Sequence, residues 1–106
     1  MKGILIPVLL CLAVGIVAAN AAPSLIVTVL FNGNPVPGAI VQVTQSGVTH
    51  TYYTFDNGTV TINDLATGPC HIHAAKQIGG VWKEDDKDMT LIEGRNYATM
   101  NLHDPL

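Results

Sequence analysis

The sequence predicts an all-β fold, a seven-stranded Greek-key-type β-sandwich preceded by an apolar N-terminal leader helix. After residue 22, apolar residues recur with a period of two, whereas no segment sustains the 3.6-residue period of a helix. Turn signals interrupt these runs about every 8–12 residues, as in small sandwiches. The densest of them, residues 33–39, contains two prolines and two glycines. Such a segment cannot lie inside a helix or a central strand, so it connects two strands.

Residues 1–21 predict a secretory signal peptide. Lys2 is the only charged residue before Asp56, residues 4–19 are apolar, and Ala19-Asn20-Ala21 has the small-x-small pattern of a cleavage site. We expect cleavage after Ala21, or else after Ala19, and therefore a protein that is secreted or displayed on the cell surface. The leader is also just long enough to remain as a membrane anchor. Because Lys2-Gly3 precedes an apolar run, it also resembles a pilin-type processing site, so the fate of the leader stays open.

The strands of the single domain, residues 22–106, follow in order. The third, at 49–55, is rich in Thr and Tyr, which suit a half-exposed strand. Asp56-Asn57-Gly58 predicts a hairpin turn after it. On three strands, alternation predicts which apolar side chains point inward. They are Leu25, Val27, Val29 and Phe31 on the first strand, Ala39, Val41 and Val43 on the second, and Val60 and Ile62 on the fourth.

The second half of the domain contains the most unusual strand. Alternation directs Cys70, Ile72 and Ala74 inward, which places His71 and His73 on the opposite face. Short strands are predicted at 81–84 and 89–92, and the acidic run at 84–88 is interpreted as a solvated hairpin tip rather than a calcium loop. The last strand, 97–102, directs inward Ala98, Met100 and Leu102.

Charge and cysteine usage narrow the possible partners. Of five basic residues Lys2 lies in the leader, which leaves four against eight acidic residues and a net charge of −4 for the domain. Nucleic acid is therefore not expected as a partner. Cys70 is the only cysteine outside the leader, so no disulfide forms within the domain, and we expect a buried thiol.

The order and spacing of these motifs resemble a known family. Gly33-x-Pro35-x-Pro37-Gly38-Ala39 is followed by Thr54-x-Asp56-Asn57-Gly58, Val60-x-Ile62-x-x-Leu65 and Gly68-x-Cys70-x-Ile72-x-Ala74. Over residues 25–102 the chain is similar to the carboxypeptidase regulatory-like domain of the prealbumin-like (transthyretin-like) sandwiches. The resemblance implies a scaffold in an extracytoplasmic protein rather than a catalyst. The first strand contains no lysine, so the Lys–Asn cross-link of related adhesin modules is not expected.

The only pattern with ligand-like chemistry is His71-Ile72-His73. Two imidazoles at i and i+2 of a strand share one face and suit Zn²⁺ or Cu²⁺. A stable site needs further ligands, for which His50 is a candidate, as are His103 and Asp88. The competing interpretation is two polar residues on a solvent-facing strand. No other cofactor is expected.

Function is predicted only in outline. The sequence contains no nucleophile motif and no placed pair of carboxylates, so we expect no enzyme. The favoured function is a structural or interaction module that contacts proteins or its own copies, with the possibility of a surface polymer or filament. It contacts a membrane only if the leader is retained. The alternatives are a Zn²⁺- or Cu²⁺-binding protein and a sugar- or peptide-binding domain that uses exposed aromatics, although at least half of Tyr52, Tyr53, Trp82 and Tyr97 are expected to fill the core or its rim.

Overall fold

A computed structural model describes residues 22–105. Over this range the protein is all-β, and no residue is helical. The predicted leader helix and signal peptide, residues 1–21, lie outside the described residues. From residue 22 to residue 105 there is no helix with the length and apolarity needed to cross a membrane.

Eight strands succeed one another within residues 22–105, whereas the sequence predicts seven. They are β1 (Ser24–Phe31), β2 (Asn34–Pro35), β3 (Ile40–Gln45), β4 (Val48–Tyr53), β5 (Thr59–Ile62), β6 (Gly68–Ile78), β7 (Val81–Leu91) and β8 (Arg95–Asn101).

The strands form two four-stranded sheets. In sheet I, β1 pairs antiparallel with β2 and β5 and parallel with β8. Sheet II has the order β4-β3-β6-β7 and is antiparallel throughout. Apolar side chains from both sheets form one buried cluster, an arrangement compatible with a β-sandwich.

The alternation of apolar residues is confirmed on four of the strands. Side chains predicted to point inward are buried on β1 and β8 of sheet I, on β6 of sheet II, and on β3 together with Ala39 just before it. They are Leu25, Val27, Val29, Ala98, Met100, Ala39, Val41, Val43, Cys70, Ile72 and Ala74. Phe31 is partly buried against the same cluster.

The interpretation of residues 84–88 as a hairpin tip is wrong. The two short strands predicted at 81–84 and 89–92 are one continuous strand, β7, and the acidic run lies in its middle. β7 pairs with β6 along eleven consecutive positions, from Gly68↔Leu91 to Ile78↔Val81. The turn of this hairpin is Gly79-Gly80, which adopts positive φ. The carboxylates therefore stand opposite the residues of β6.

One buried hydroxyl, that of Thr54, hydrogen-bonds the proline-rich connection at residues 33–39 and holds it in place. Thr54 Oγ1 donates a hydrogen bond to the carbonyl of Val36 at 2.6 Å and accepts one from the amide of Ala39 at 2.8 Å. Gly58 packs against the same connection, because a Cβ at Gly58 would approach Pro35 Cβ to 2.8 Å. The connection at 33–39 and the Asp-Asn-Gly turn are thus in direct contact, which explains why both motifs are needed.

We predict that Thr54→Val lowers the free energy of unfolding by about 2–3 kcal/mol, because it leaves a buried carbonyl and a buried amide without their partner. Chemical denaturation measures this change. Thr54→Ser is the matched control, since it keeps the hydroxyl and loses only a methyl group, worth about 0.8 kcal/mol. Equal stability of the Val and Ser variants would show that the hydroxyl does not fasten the connection.

Candidate functional site

Two neighbouring strands of sheet II bring histidines and carboxylates together. In the β6–β7 register, His71 stands opposite Asp88 and His73 stands opposite Asp86. Directly opposed residues share a face of a sheet, as do residues two apart on one strand. Ile72 and Ala74 occupy the buried face, so the polar set lies on the outer face. We call His71, His73, Glu84, Asp86 and Asp88 the histidine–carboxylate row.

His71 is held between two carboxylates. Its Nδ1 lies 2.7 Å from Asp88 Oδ1, and its Nε2 lies 2.9 Å from Asp86 Oδ1. A neutral imidazole carries one N–H, so only the protonated ring can donate hydrogen bonds to both acids. The protonated form of His71 is therefore the one that this geometry fits.

The row continues through His73. Its Nδ1 lies 2.8 Å from Asp86 Oδ1, and its Nε2 lies 3.6 Å from Glu84 Oε1. The Oδ1 atom of Asp86 is thus shared by both histidines. The His73–Glu84 end is the more protected one, with 28% and 34% of the two side chains exposed, against 86% for Asp88. One metal ion could reach His73, Glu84 and Asp86 together, because one ligand atom from each lies within 4.8 Å of the other two.

These contacts shift the ionisation of the row. Hydrogen bonds to Asp88 first and to Asp86 second raise the pKa of His71 above its ordinary value. Desolvation works against ionisation of Asp86, but hydrogen bonds from His73 and His71 outweigh it and lower the pKa of Asp86. The contact between His71 and Asp86 is therefore most favourable when His71 is protonated and Asp86 is ionised.

His50 does not join the row. It pairs with Val43, which is buried and which also pairs with Ile72 on the inner face. His50, the predicted third ligand, therefore extends from the face of sheet II that is opposite to His71 and His73. Its side chain lies beyond the edge of the core. The structure brings Asp88, one of the candidate ligands, to His71, whereas His103 lies on the C-terminal tail with its Nε2 3.4 Å from Asp85 Oδ1.

Cys70 is buried, as predicted. It is 5% exposed, and its side chain belongs to the core cluster beneath the row. Burial first, and the charge of Asp88 second, raise the pKa of the Cys70 thiol. The thiol is therefore protonated at neutral pH and is a poor nucleophile and metal ligand.

The aromatic residues are more exposed than predicted. Of the four, only Tyr52 packs against the core, whereas Tyr53, Trp82 and Tyr97 are 58%, 49% and 66% exposed. The expectation that at least half of them fill the core or its rim is therefore wrong. Tyr53 and Trp82 line the same surface depression on sheet II, beside Ile40 and Gln77.

Of the three carboxylates the sequence indicated only Asp88 as a candidate ligand; Glu84 and Asp86 were missed because acidic residues are depleted in strands and common in turns. A period-two signal was nevertheless present. Glu84, Asp86 and Asp88 alternate along the chain as His71 and His73 do. Two alternating sets of opposite charge, separated by the Gly79-Gly80 turn, are the signature of a charged cross-strand ladder.

Comparison with protein-family models and with curated proteins finds no match to this chain. The resemblance to the carboxypeptidase regulatory-like domain therefore stays a prediction.

We predict that NMR titration places the pKa of His71 above the ordinary value of about 6.5 and that Asp86→Asn moves it back toward that value. A raised pKa in the folded state means that the stabilisation is complete below pH 6.5 and is lost as the pH rises through the folded value. For Asp86 the sign is reversed, and its contribution is lost as the pH falls through its lowered pKa. The row should therefore stabilise the fold most between about pH 4 and 6.5.

The contribution to the free energy of unfolding should be below about 1 kcal/mol, because 43% of His71 and 51% of Asp86 are exposed and solvent screens the pair. The titration is run with a chelator, so that only protons compete for the ring. Asp56→Asn, which removes one charge from the hairpin turn after β4, is the matched control and should leave the pKa of His71 unchanged. An equal shift in both variants would rule out the specific contact with Asp86.

Proposed function

We propose that this protein is a non-enzymatic, extracytoplasmic interaction module that associates with copies of itself through the free edge of β4. The scaffold we propose for it is a Greek-key sandwich of the prealbumin-like type, on the strength of the motif order in residues 25–102. Export is supported by the charge pattern of residues 1–21 and by the A-x-A site at Ala19–Ala21.

The composition of the β4 edge is the main support for self-association through this strand. β4 has the sequence VTHTYY, is exposed at every position except Tyr52, and contains neither proline nor a Lys, Arg, Asp or Glu residue. Natural edge strands usually carry charges, prolines or bulges that prevent pairing with another chain. β4 has none of these, and its β-branched and aromatic residues favour strand pairing.

The backbone of β4 offers hydrogen bonds to a partner. Ser46-Gly47 forms a two-residue hairpin loop with both φ values positive, so Gln45 and Val48 close it as a hydrogen-bonded pair. From that pair, the alternation of an antiparallel ladder points the backbone groups of Thr49, Thr51 and Tyr53 away from β3. Outside the sheet ladders of residues 22–105, no backbone hydrogen bond involves β4.

The other edge of sheet II is covered by the chain itself. Glu84 on β7 exchanges two backbone hydrogen bonds with His103 of the C-terminal tail, at 2.9 and 3.1 Å. Lys83 pairs with Asp104 on the same tail. Within residues 22–105, the chain thus protects β7 with a tail and with acidic side chains, whereas no segment of this range pairs with the outer edge of β4.

A second copy fits this edge without conflict. In an antiparallel pair of β4 strands related by a two-fold axis, Thr51 faces Thr51 and Thr49 faces Tyr53. These are threonine and aromatic pairs, which stabilise a sheet, and no like charges meet. Two four-stranded sheets would become one eight-stranded sheet. Tyr53 is a residue of this edge, and its exposed side chain lies at the new junction.

We predict that the exported protein self-associates in a concentration-dependent way and that Thr51→Lys weakens this about tenfold, because the two-fold axis brings two ammonium groups together. Light scattering and sedimentation measure the effect, and mass spectrometry first establishes the N-terminus of the protein used. Thr61→Lys is the matched control, since it makes the same substitution at an exposed position of β5 in sheet I and should not change association.

Two results would refute this assignment. One is a monomer at every concentration tested. The other is an equal loss of association in the Thr51→Lys and Thr61→Lys variants, which would indicate a general charge effect. Species that keep growing beyond a dimer would point to a second pairing edge and to the filament that the sequence analysis left open.

A sugar- or peptide-binding domain is the second candidate, because Tyr53 and Trp82 flank one depression and both are about half exposed. Stacking on a sugar ring uses such pairs of exposed aromatics. Glycan-array and peptide screening with the wild type and a Trp82→Ala variant tests it. Absence of binding, or binding that survives Trp82→Ala, removes its support.

A further inference from the structure

We propose that the histidine–carboxylate row is a binding site for a divalent transition-metal ion, with His73, Glu84 and Asp86 as its ligands and His71 beside them, and that Zn²⁺ is the ion its donors fit. The site lies on β6 and β7, two strands away from β4, and it does not depend on self-association.

The geometry of the three ligands is close to that of a metal site. A zinc ion binds nitrogen and oxygen at about 2.0–2.2 Å, so two of its tetrahedral ligands lie about 3.4 Å apart. His73 Nε2 and Glu84 Oε1 are separated by 3.6 Å, and one ligand atom each from His73, Glu84 and Asp86 lie within 4.8 Å of one another. Asp86 now lies beside His73 Nδ1 and Glu84 near Nε2, so metal binding requires the two carboxylates to turn toward the same ring nitrogen.

The negative charge of the histidine–carboxylate row favours the binding of a cation. Three carboxylates face two imidazoles, and Asp86 Oδ1 lies within 3 Å of a ring nitrogen of each. Because a neutral imidazole has one N–H, its second nitrogen presents a lone pair, and a carboxylate beside a lone pair is unfavourable. A metal ion bound to the ring nitrogen and to the carboxylate removes this conflict.

Within residues 22–105, no basic side chain supplies that positive charge instead. On the other flank of β6 the row meets Gln42 and Thr44 of β3, which pair with His73 and His71 and are uncharged. Within residues 22–105, no lysine or arginine hydrogen-bonds or forms an ion pair with a member of the row. The positions facing the row from neighbouring strands therefore leave its negative charge uncompensated.

The donor set selects the class of ion. Imidazole nitrogen together with carboxylate oxygen suits Zn²⁺ and Cu²⁺, whereas Ca²⁺ and Mg²⁺ prefer oxygen alone. Cys70, the only cysteine in residues 22–105, is buried on the other face of β6 and does not supply a thiolate to this site. The partial burial of His73 and Glu84 protects one end of the site from water and leaves the other end open for a water ligand.

Isothermal titration of untagged, chelator-treated protein with ZnCl₂ at pH 7.5 tests the proposal. We expect one saturable site per chain and protons released on binding, detected as a heat that depends on the buffer. His73→Gln should weaken binding more than about tenfold, since it removes a ligand. His50→Gln is the matched control, because it removes a histidine from the inner face of the same sheet and should leave the affinity unchanged.

Circular dichroism shows whether each variant keeps its β-fold. If His73→Gln fails to fold, Asp86→Asn takes its place, and Co²⁺ absorption reports the coordination directly. The proposal is overturned if millimolar Zn²⁺ gives no saturable binding, if His50→Gln weakens binding as much as His73→Gln, or if Ca²⁺ binds more tightly than Zn²⁺. Light scattering with and without chelator separates this result from self-association, which should not change.

Discussion

The burial of one face of β6 is the constraint on which the rest of the molecule depends. Ile72 and Ala74 are fully buried between the two sheets, and their register with β3 and β7 cannot slip by one residue without moving the histidines into the core. The same alternation that fills the core therefore holds His71 and His73 on the outer face. Because β7 pairs with β6 at eleven positions, the carboxylates are fixed opposite them.

Much of this arrangement could be predicted from the sequence, for a local reason. Alternation of apolar residues reports directly which side chains are buried, so the inner faces of β1, β3, β6 and β8 follow from the sequence alone. The acidic strand β7 could not be predicted in this way, because its central residues have low strand propensity. Their place in the sheet depends on partners on β6, about fifteen residues away.

Contacts between distant parts of the chain also explain the other differences. His50 resembles a third ligand in the sequence, but the Ser46-Gly47 hairpin sets its register against Val43 and so its face. Thr54 looks like one more threonine of a polar strand. Within residues 22–105, however, the Thr54 hydroxyl is the only side-chain group that hydrogen-bonds the backbone of Val36 and Ala39. Neither role is visible before the strands are paired.

The two edge strands of sheet II, β7 and β4, differ in how well they are protected from pairing with another chain. The proposed metal site lies at the protected edge, and the proposed self-association uses the unprotected one. On β7, alternate carboxylates oppose the approach of another chain, and the tail at His103 covers the backbone that remains. Those carboxylates face the histidines of β6, so the negative charge that protects the edge also favours the binding of a proton or a metal ion. On β4 no side chain brings charge, which leaves the backbone free to pair. One uninterrupted sheet can therefore carry a cation at one edge and a partner strand at the other, with the uncharged residues of β3 between them.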